Sequence, residues 1–251
     1  MGDRFFLLQV LQAMWTLNDD SAQLNQQRLS ARLTLDQLST GLLDASFEGE
    51  PLGWNKWLSI SDRRQKELSR HLGYVRGDDL VCYHAGEPGT GTTRETSWRV
   101  LGMPSGAIGI ELLMSVQDNP PWDSPIVSVG TAMAVDACFL LDAESRRWSS
   151  FDLATGQVSL AAPQGILCCW PNRVFSYFEM LHPTDHGGVE LSTGEQGSGD
   201  LAWRWDLLHR QLEKGVIRRS RLQGWFIPSE GDQQIAGQLF EQFQEAACRL
   251  G

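Results

Sequence analysis

Between residues 126 and 170 the sequence is cut into short apolar pieces by turn residues, a pattern that few folds accept. Residues 126–129 form one apolar run and 137–141 a second. Residues 148–153 alternate, with Trp148, Ser150 and Asp152 opposed to Ser149, Phe151 and Leu153. Ala154-Thr155-Gly156 is a turn, 157–160 resume, and 165–170 are apolar again. Pieces of four to six residues between short turns predict an antiparallel meander. Residues 80–83 and 217–227 predict further strands, while 109–116 fit strand and helix equally.

Elsewhere the spacing predicts helices. Leu7, Leu11, Met14 and Leu17 recur at three- and four-residue steps, which predicts a helix over 5–17. Leu24, Ala31, Leu35, Leu38 and Leu42 predict a second over 22–43, paired with the first as a helical hairpin. Further helices are expected over 61–72, 172–181, 203–213 and 235–249. Residues 86–97 and 184–200 are polar and Gly-rich, hence loops. The expected fold class is α+β, a central antiparallel sheet flanked by helices with a helical N-terminal region. The expected division is a helical region over 1–77, an α+β core over 78–183, a linker over 184–200 and a helical part over 201–251 packed on the core.

Charge narrows the function. The chain carries 21 Lys and Arg against 31 Asp and Glu, a net −10. Broad binding to a phosphate backbone needs clustered basic residues and is not expected. An acidic surface suits a basic protein partner, because complementary fields speed encounter and set specificity. One local exception exists: 201–225 hold six basic and two acidic residues. There Arg218, Arg219 and Arg221 either bind an anion or guard an edge strand.

The five cysteines, Cys82, Cys138, Cys168, Cys169 and Cys248, are odd in number and lack CxxC spacing. No disulfide framework or zinc site is expected, and a reducing, cytoplasmic setting is. The apolar N-terminal stretch lacks the flanks and cleavage site of a signal peptide, and no segment has the length of a membrane span.

Chemical motifs are incomplete. Residues 86–93 have the Gly spacing of a phosphate-binding loop, but Thr92 stands where a Lys must reach the phosphates. Residues 164–170 are similar in part to the segment around a papain-type nucleophile. That makes Cys169 a candidate thiol, with His182, His186 or His209 as its base. His182, Asp185 and His186 are metal-ligand types, yet Pro183 interrupts a shared helical face and no third anchored ligand follows. No metal or cofactor is expected.

Residues 98–182 resemble the SUKH superfamily, which includes bacterial toxin-immunity proteins. The resemblance runs from Trp98-Arg99-Val100-Leu101-Gly102-Met103-Pro104 through Cys138-Phe139-Leu140-Leu141-Asp142. It continues with the strand–turn–strand element Asp152-Leu153-Ala154-Thr155-Gly156-Gln157-Val158 and closes with an Asn-led helix from Asn172. It implies an α+β fold and a non-enzymatic protein-binding role, either neutralising a basic nuclease-type toxin or regulating a partner protein, with no catalytic residues to carry over. On that footing Asp136, Asp142, Glu144 and Asp152, near the meander turns, supply carboxylates to the partner, and Trp148 supplies an aromatic anchor. The alternative is a cysteine-dependent hydrolase built on Cys169 and a histidine.

Overall fold

The computed structural model describes residues 9–10, 14–53, 56–62, 70–85, 93–117, 127–142, 144–160, 163–194, 199–207 and 216–246. In chain order the strands are β1 (Gln9–Val10), β2 (Met14–Leu17), β3 (Ser21–Gln26), β4 (Leu29–Thr34), β5 (Leu42–Phe47), β6 (Glu50–Pro51), β7 (Lys56–Asp62), β8 (Arg70–Arg76), β9 (Asp79–Ala85) and β10 (Thr93–Gly102). They continue as β11 (Ile108–Gln117), β12 (Val127–Ala134), β13 (Ala137–Asp142), β14 (Arg147–Phe151), β15 (Gln157–Leu160), β16 (Pro163–Cys169), β17 (Phe175–Leu181), β18 (His186–Thr193), β19 (Asp200–Leu207) and β20 (Ile217–Pro228). The one α-helix among the described residues, α1, spans Asp232–Glu245.

Three antiparallel sheets result. The large sheet runs β14-β13-β16-β17-β20-β11-β10-β9-β8, with β1 also paired to β10. A second sheet runs β15-β18-β19-β12-β7, and a third runs β2-β3-β4-β5-β6. One continuous apolar core joins them, from Leu24 and Phe47 of the third sheet, through Leu191 and Trp205 of the second, to Trp98, Ile110 and Phe226 of the large sheet. Phe47 stacks on Phe226 with centroids 4.5 Å apart. The other face of the large sheet is covered in part by α1, whose Leu239, Phe240 and Phe243 share a core with Phe178, Met180 and Trp225.

The α+β expectation is therefore corrected: the protein is a β-sandwich, and its N-terminal region is built of strands. The physical reason is a period of two hidden inside longer steps. Leu29, Ala31 and Leu33 of β4 are buried while Ser30, Arg32 and Thr34 face outward. Ala22 and Leu24 of β3 follow the same rule. A two-residue turn at Gln27-Arg28 joins the two strands, since Gln26 pairs with Leu29. Each inward Leu is worth about 1.5–3 kcal/mol of transfer free energy, so a full inward row outweighs helix propensity. In β19, Leu201, Trp203, Trp205 and Leu207 point in and Ala202, Arg204 and Asp206 are less buried, where a helix was expected.

The expected helix over 172–181 is also a strand: all seven residues of β17 are buried, as suits a strand with a core on each face. Of the expected helix over 61–72, β7 and β8 hold the ends and 63–69 lie outside the described residues. The expected linker contains β18. Strands over 80–83, 137–141, 157–160, 165–170 and 217–227 and the final helix are found near their expected positions. No helix among the described residues is long and apolar enough to cross a membrane.

Candidate ligand groove

The outer face of the second sheet carries a groove of about 430 Å³. Its floor follows from the register. Gly130 of β12 lies beside Arg204 of β19 and Ser59 of β7, and Ala132 lies beside Ala202 and Lys56. On the other side Arg204 neighbours Glu190 of β18, and Ala202 neighbours Ser192. Small residues at Gly130, Ala132 and Ala202 keep the centre low, while Lys56, Gln157, Glu190 and Arg204 stand around it. The Arg204 guanidinium is ion-paired with Glu190, and Asp206 lies 3.9 Å from its Nε. Ser59 Oγ donates to the Gly130 carbonyl at 2.9 Å, and the Ser61 and Ser128 hydroxyls are 2.8 Å apart.

Directly behind this groove lies a buried carboxyl. Glu179 of β17 is 0% exposed and points between the sheets. Its Oε1 accepts from Trp203 Nε1 at 2.6 Å and Trp205 Nε1 at 2.7 Å. Its Oε2 accepts from the Tyr177 hydroxyl at 2.6 Å and the Thr131 hydroxyl at 2.7 Å. The proton directions are fixed. Tyr177 itself accepts from Trp57 Nε1 at 2.8 Å, and Thr131 accepts from the Leu58 amide at 3.2 Å, so both hydroxyl hydrogens are free to face the carboxyl. Burial raises the Glu179 carboxyl above its ordinary 4.5, and the four donors oppose that shift. Burial, with the Glu179 charge beside it, also lifts the Tyr177 phenol well above its usual range and keeps it a donor. Thr131 and Trp203 also line the groove, so the buried carboxyl fixes the strands that shape it.

The residues singled out in the sequence lie elsewhere. Asp136 is exposed in the turn between β12 and β13. Asp142 Oδ1 accepts from the Ser145 amide at 2.6 Å, and those bonds hold its carboxyl below the usual range. Glu144 is exposed in the same β13–β14 turn. Asp152 Oδ1 accepts from the Ala154 amide at 2.9 Å beyond the far end of β14. The carboxylates thus divide between opposite ends of a hairpin, about 20 Å apart for six extended residues, and two of them serve as turn acceptors. Trp148 packs edge-on against Phe178 at 5.9 Å in the core beneath α1.

Cys169 Sγ donates to Asp232 Oδ2 at 3.3 Å, and Ser176 Oγ donates to the same oxygen at 2.7 Å. Tyr177 is the partner of Cys168, so the register sets Ser176 opposite Cys169, and His182 lies six residues further on, about 20 Å along the strand direction from the thiol. Its Nδ1 is 2.8 Å from Thr184 Oγ1, its ring packs edge-on against Phe243, and burial with the Arg221 charge lowers its pKa. His186 opens β18, in a different sheet, and His209 lies outside the described residues. Burial pushes the Cys169 thiol up to about 12. Alkylation of Cys169 by iodoacetamide at pH 7 should accordingly be slower than that of a small free thiol, read by peptide mass spectrometry.

Arg218, Arg219 and Arg221 stand on β20, where β11 pairs residues 217–226 on one side and β17 pairs 222–228 on the other, so among the described strands the segment with Arg218 and Arg219 is flanked on one side only. Arg221 lies over the Phe243 ring at 5.3 Å. The Gly-rich loop at 86–92 lies outside the described residues, and Thr93 after it opens a ten-residue strand, where a phosphate-binding loop requires a helix.

No family model and no curated protein matches the chain. Solved structures do match in shape. A candidate aldose 1-epimerase from Escherichia coli K12 aligns with a TM-score of 0.51 and 8% identity, over 82% of this chain and 98% of that one. The galactosidase domain of an α-galactosidase–sucrose kinase, AgaSK, aligns with a TM-score of 0.50 and 8% identity over 85% of this chain. This chain spans 41% of that protein. At such identity the likeness is one of fold. The fold overturns the expected protein-binding, toxin-neutralising role, and the register that separates Cys169 from His182 gives no support to pairing those two as thiol and base. The shared frame is a β-sandwich found in proteins named for sugar chemistry, and the described residues do not form the α+β frame that the immunity role required.

Proposed function

We propose that the chain binds a saccharide along the groove of the second sheet without acting on it chemically. The composition of the trough carries this proposal. Hydroxyls and an amide, from Ser59, Ser61, Ser192 and Gln157, surround one ion pair over a low floor. Sugar hydroxyls donate and accept, and serine hydroxyls rotate to serve either need. Glu190 and Arg204 add charge-assisted bonds whose direction is fixed by their pairing. A groove of about 430 Å³ falls in the range of small-ligand sites. The two fold neighbours, a galactosidase domain and a candidate aldose 1-epimerase, support the same ligand class.

Glycosidic cleavage uses two carboxyl groups flanking the scissile bond. Among the described lining residues the carboxylate is Glu190, already paired with Arg204, and none of them is a histidine that could serve as an acid–base partner. Binding is therefore the role that these side chains support.

Titration calorimetry with neutral mono- and disaccharides, galactosides first, tests the proposal. At least one sugar should bind. Ala202→Trp, which fills the trough from its floor, should abolish that binding. Glu190→Gln should weaken it about tenfold, or about 1.4 kcal/mol. Silence across the panel from the wild-type chain, or unchanged binding by Ala202→Trp, overturns the proposal.

A further inference from the structure

We infer that Cys138 and Cys168 form a latent cross-strand disulfide site, closed when the chain folds in the presence of a disulfide oxidant. The observation is one of register. Cys138 of β13 stands directly opposite Cys168 of β16, with Ala137–Cys169 and Phe139–Leu167 in step on either side. Directly opposed residues in an antiparallel pair have Cα atoms about 4.5–5.5 Å apart. A disulfide spans Cα separations of about 4.4–6.8 Å, so no backbone movement is required. As register partners the two side chains lie on the same face of the sheet, and both are buried, at 1% and 0% exposure. Among the described cysteines no other two are register partners: Cys82 faces Thr96 and Gly73, and Cys169 bonds to Asp232.

Burial also sets the timing. It pushes the Cys168 thiol well above the ordinary value, and a protonated, enclosed thiol is a poor nucleophile. In the folded, reduced chain this pair is therefore inert, and the bond closes while β13 and β16 are pairing. The oxidant is a small disulfide such as oxidised glutathione. The thiolate of one cysteine attacks it, forms a mixed disulfide and expels one glutathione thiolate. The thiolate of the second cysteine attacks the protein-bound sulfur and expels the other. Two protein thiols and one glutathione disulfide become one protein disulfide and two glutathione thiols. The loop so closed, residues 138–168, contains β14 and β15 and hence the crossing from the large sheet to the second. The bond would tether that crossing in the unfolded chain.

The test is refolding of the full chain from guanidinium with dithiothreitol or with a reduced and oxidised glutathione mixture. Alkylation and peptide mass spectrometry follow. Oxidative refolding should yield one linked species, joining the peptides that carry Cys138 and Cys168, lighter by two hydrogen atoms. That species should unfold at higher urea than the reduced chain and revert on reduction. Cys138→Ser should refold in dithiothreitol and give no linked peptide under oxidation. Secretion of the same chain to a bacterial periplasm gives a second route to the bond. A dominant link involving Cys82 or Cys169, or free thiols at both positions after both routes, overturns the inference.

Discussion

Replacing Glu179 with Ala is expected to lower stability by about 4 kcal/mol, the magnitude seen when one partner of a buried charged network is removed. Four donors from three strands converge on this carboxyl. Deletion removes the acceptor that Trp203 Nε1, Trp205 Nε1 and the two hydroxyls share, each loss costing about 1–3 kcal/mol before relaxation. Glu179→Gln is nearly isosteric and isolates the proton directions. Its amide group must face either two indole N–H groups or two hydroxyls whose acceptor side is already taken by Trp57 and the Leu58 amide. A loss of about 2–3 kcal/mol is expected. Urea unfolding of both variants, followed by tryptophan fluorescence, measures these values.

The pH dependence has a definite sign. Burial raises the Glu179 carboxyl above its ordinary 4.5 in the folded chain, so the native state holds that proton more tightly than the unfolded state does. The associated stability is fully present below 4.5 and is lost as pH rises through the folded value. The advantage of wild type over Glu179→Gln should shrink as pH climbs through that window. An advantage that grows with pH would show that the donors outweigh burial.

Gly224→Ala is the second large effect. A Cβ at this position of β20 would overlap the Tyr177 hydroxyl and lie 3.1 Å from Tyr177 Cζ. A free tyrosine would slide aside, but this one is anchored at its oxygen by Glu179 and Trp57. Overpacking costs about 1–3 kcal/mol where the core cannot yield, and the upper end is expected here. In the double variant Gly224→Ala, Tyr177→Phe the hydroxyl is gone, so the glycine substitution should cost less than it does alone. Equal costs in both backgrounds would mean that the hydroxyl is not what the methyl meets.

The sheet segments between 126 and 170 were legible because turn residues separate them. The N-terminal strands were not: Leu24, Ala31, Leu35, Leu38 and Leu42 fit helical steps as well as Leu29, Ala31 and Leu33 fit a strand, and Gln27-Arg28 is not a recognisable hairpin turn. Phe175–Leu181 is apolar throughout, a pattern that does not separate a doubly covered strand from a helix. The groove left a faint trace, in the polar or small residues at alternate positions 128, 130, 132 and 202, 204, 206. Knowing that they face one another requires the register. Nothing local marks Glu179, whose donors come from Thr131, Tyr177, Trp203 and Trp205. The carboxylates chosen from the meander turns were conspicuous because turns favour Asp, and that is the work that Asp142 and Asp152 do.

The position of β20 has a consequence for how the chain acquires its shape on the ribosome. It is the strand that connects β11 to β17, yet it is made after both of them. Until it emerges, the widest layer exists as two halves with open margins, β8 to β11 and β13 to β17. Non-local pairing of this kind slows folding and leaves sticky borders exposed in the meantime. Growth of this layer ends with its keystone, and an interruption of synthesis before residue 217 would release two unjoined panels rather than a smaller stable protein.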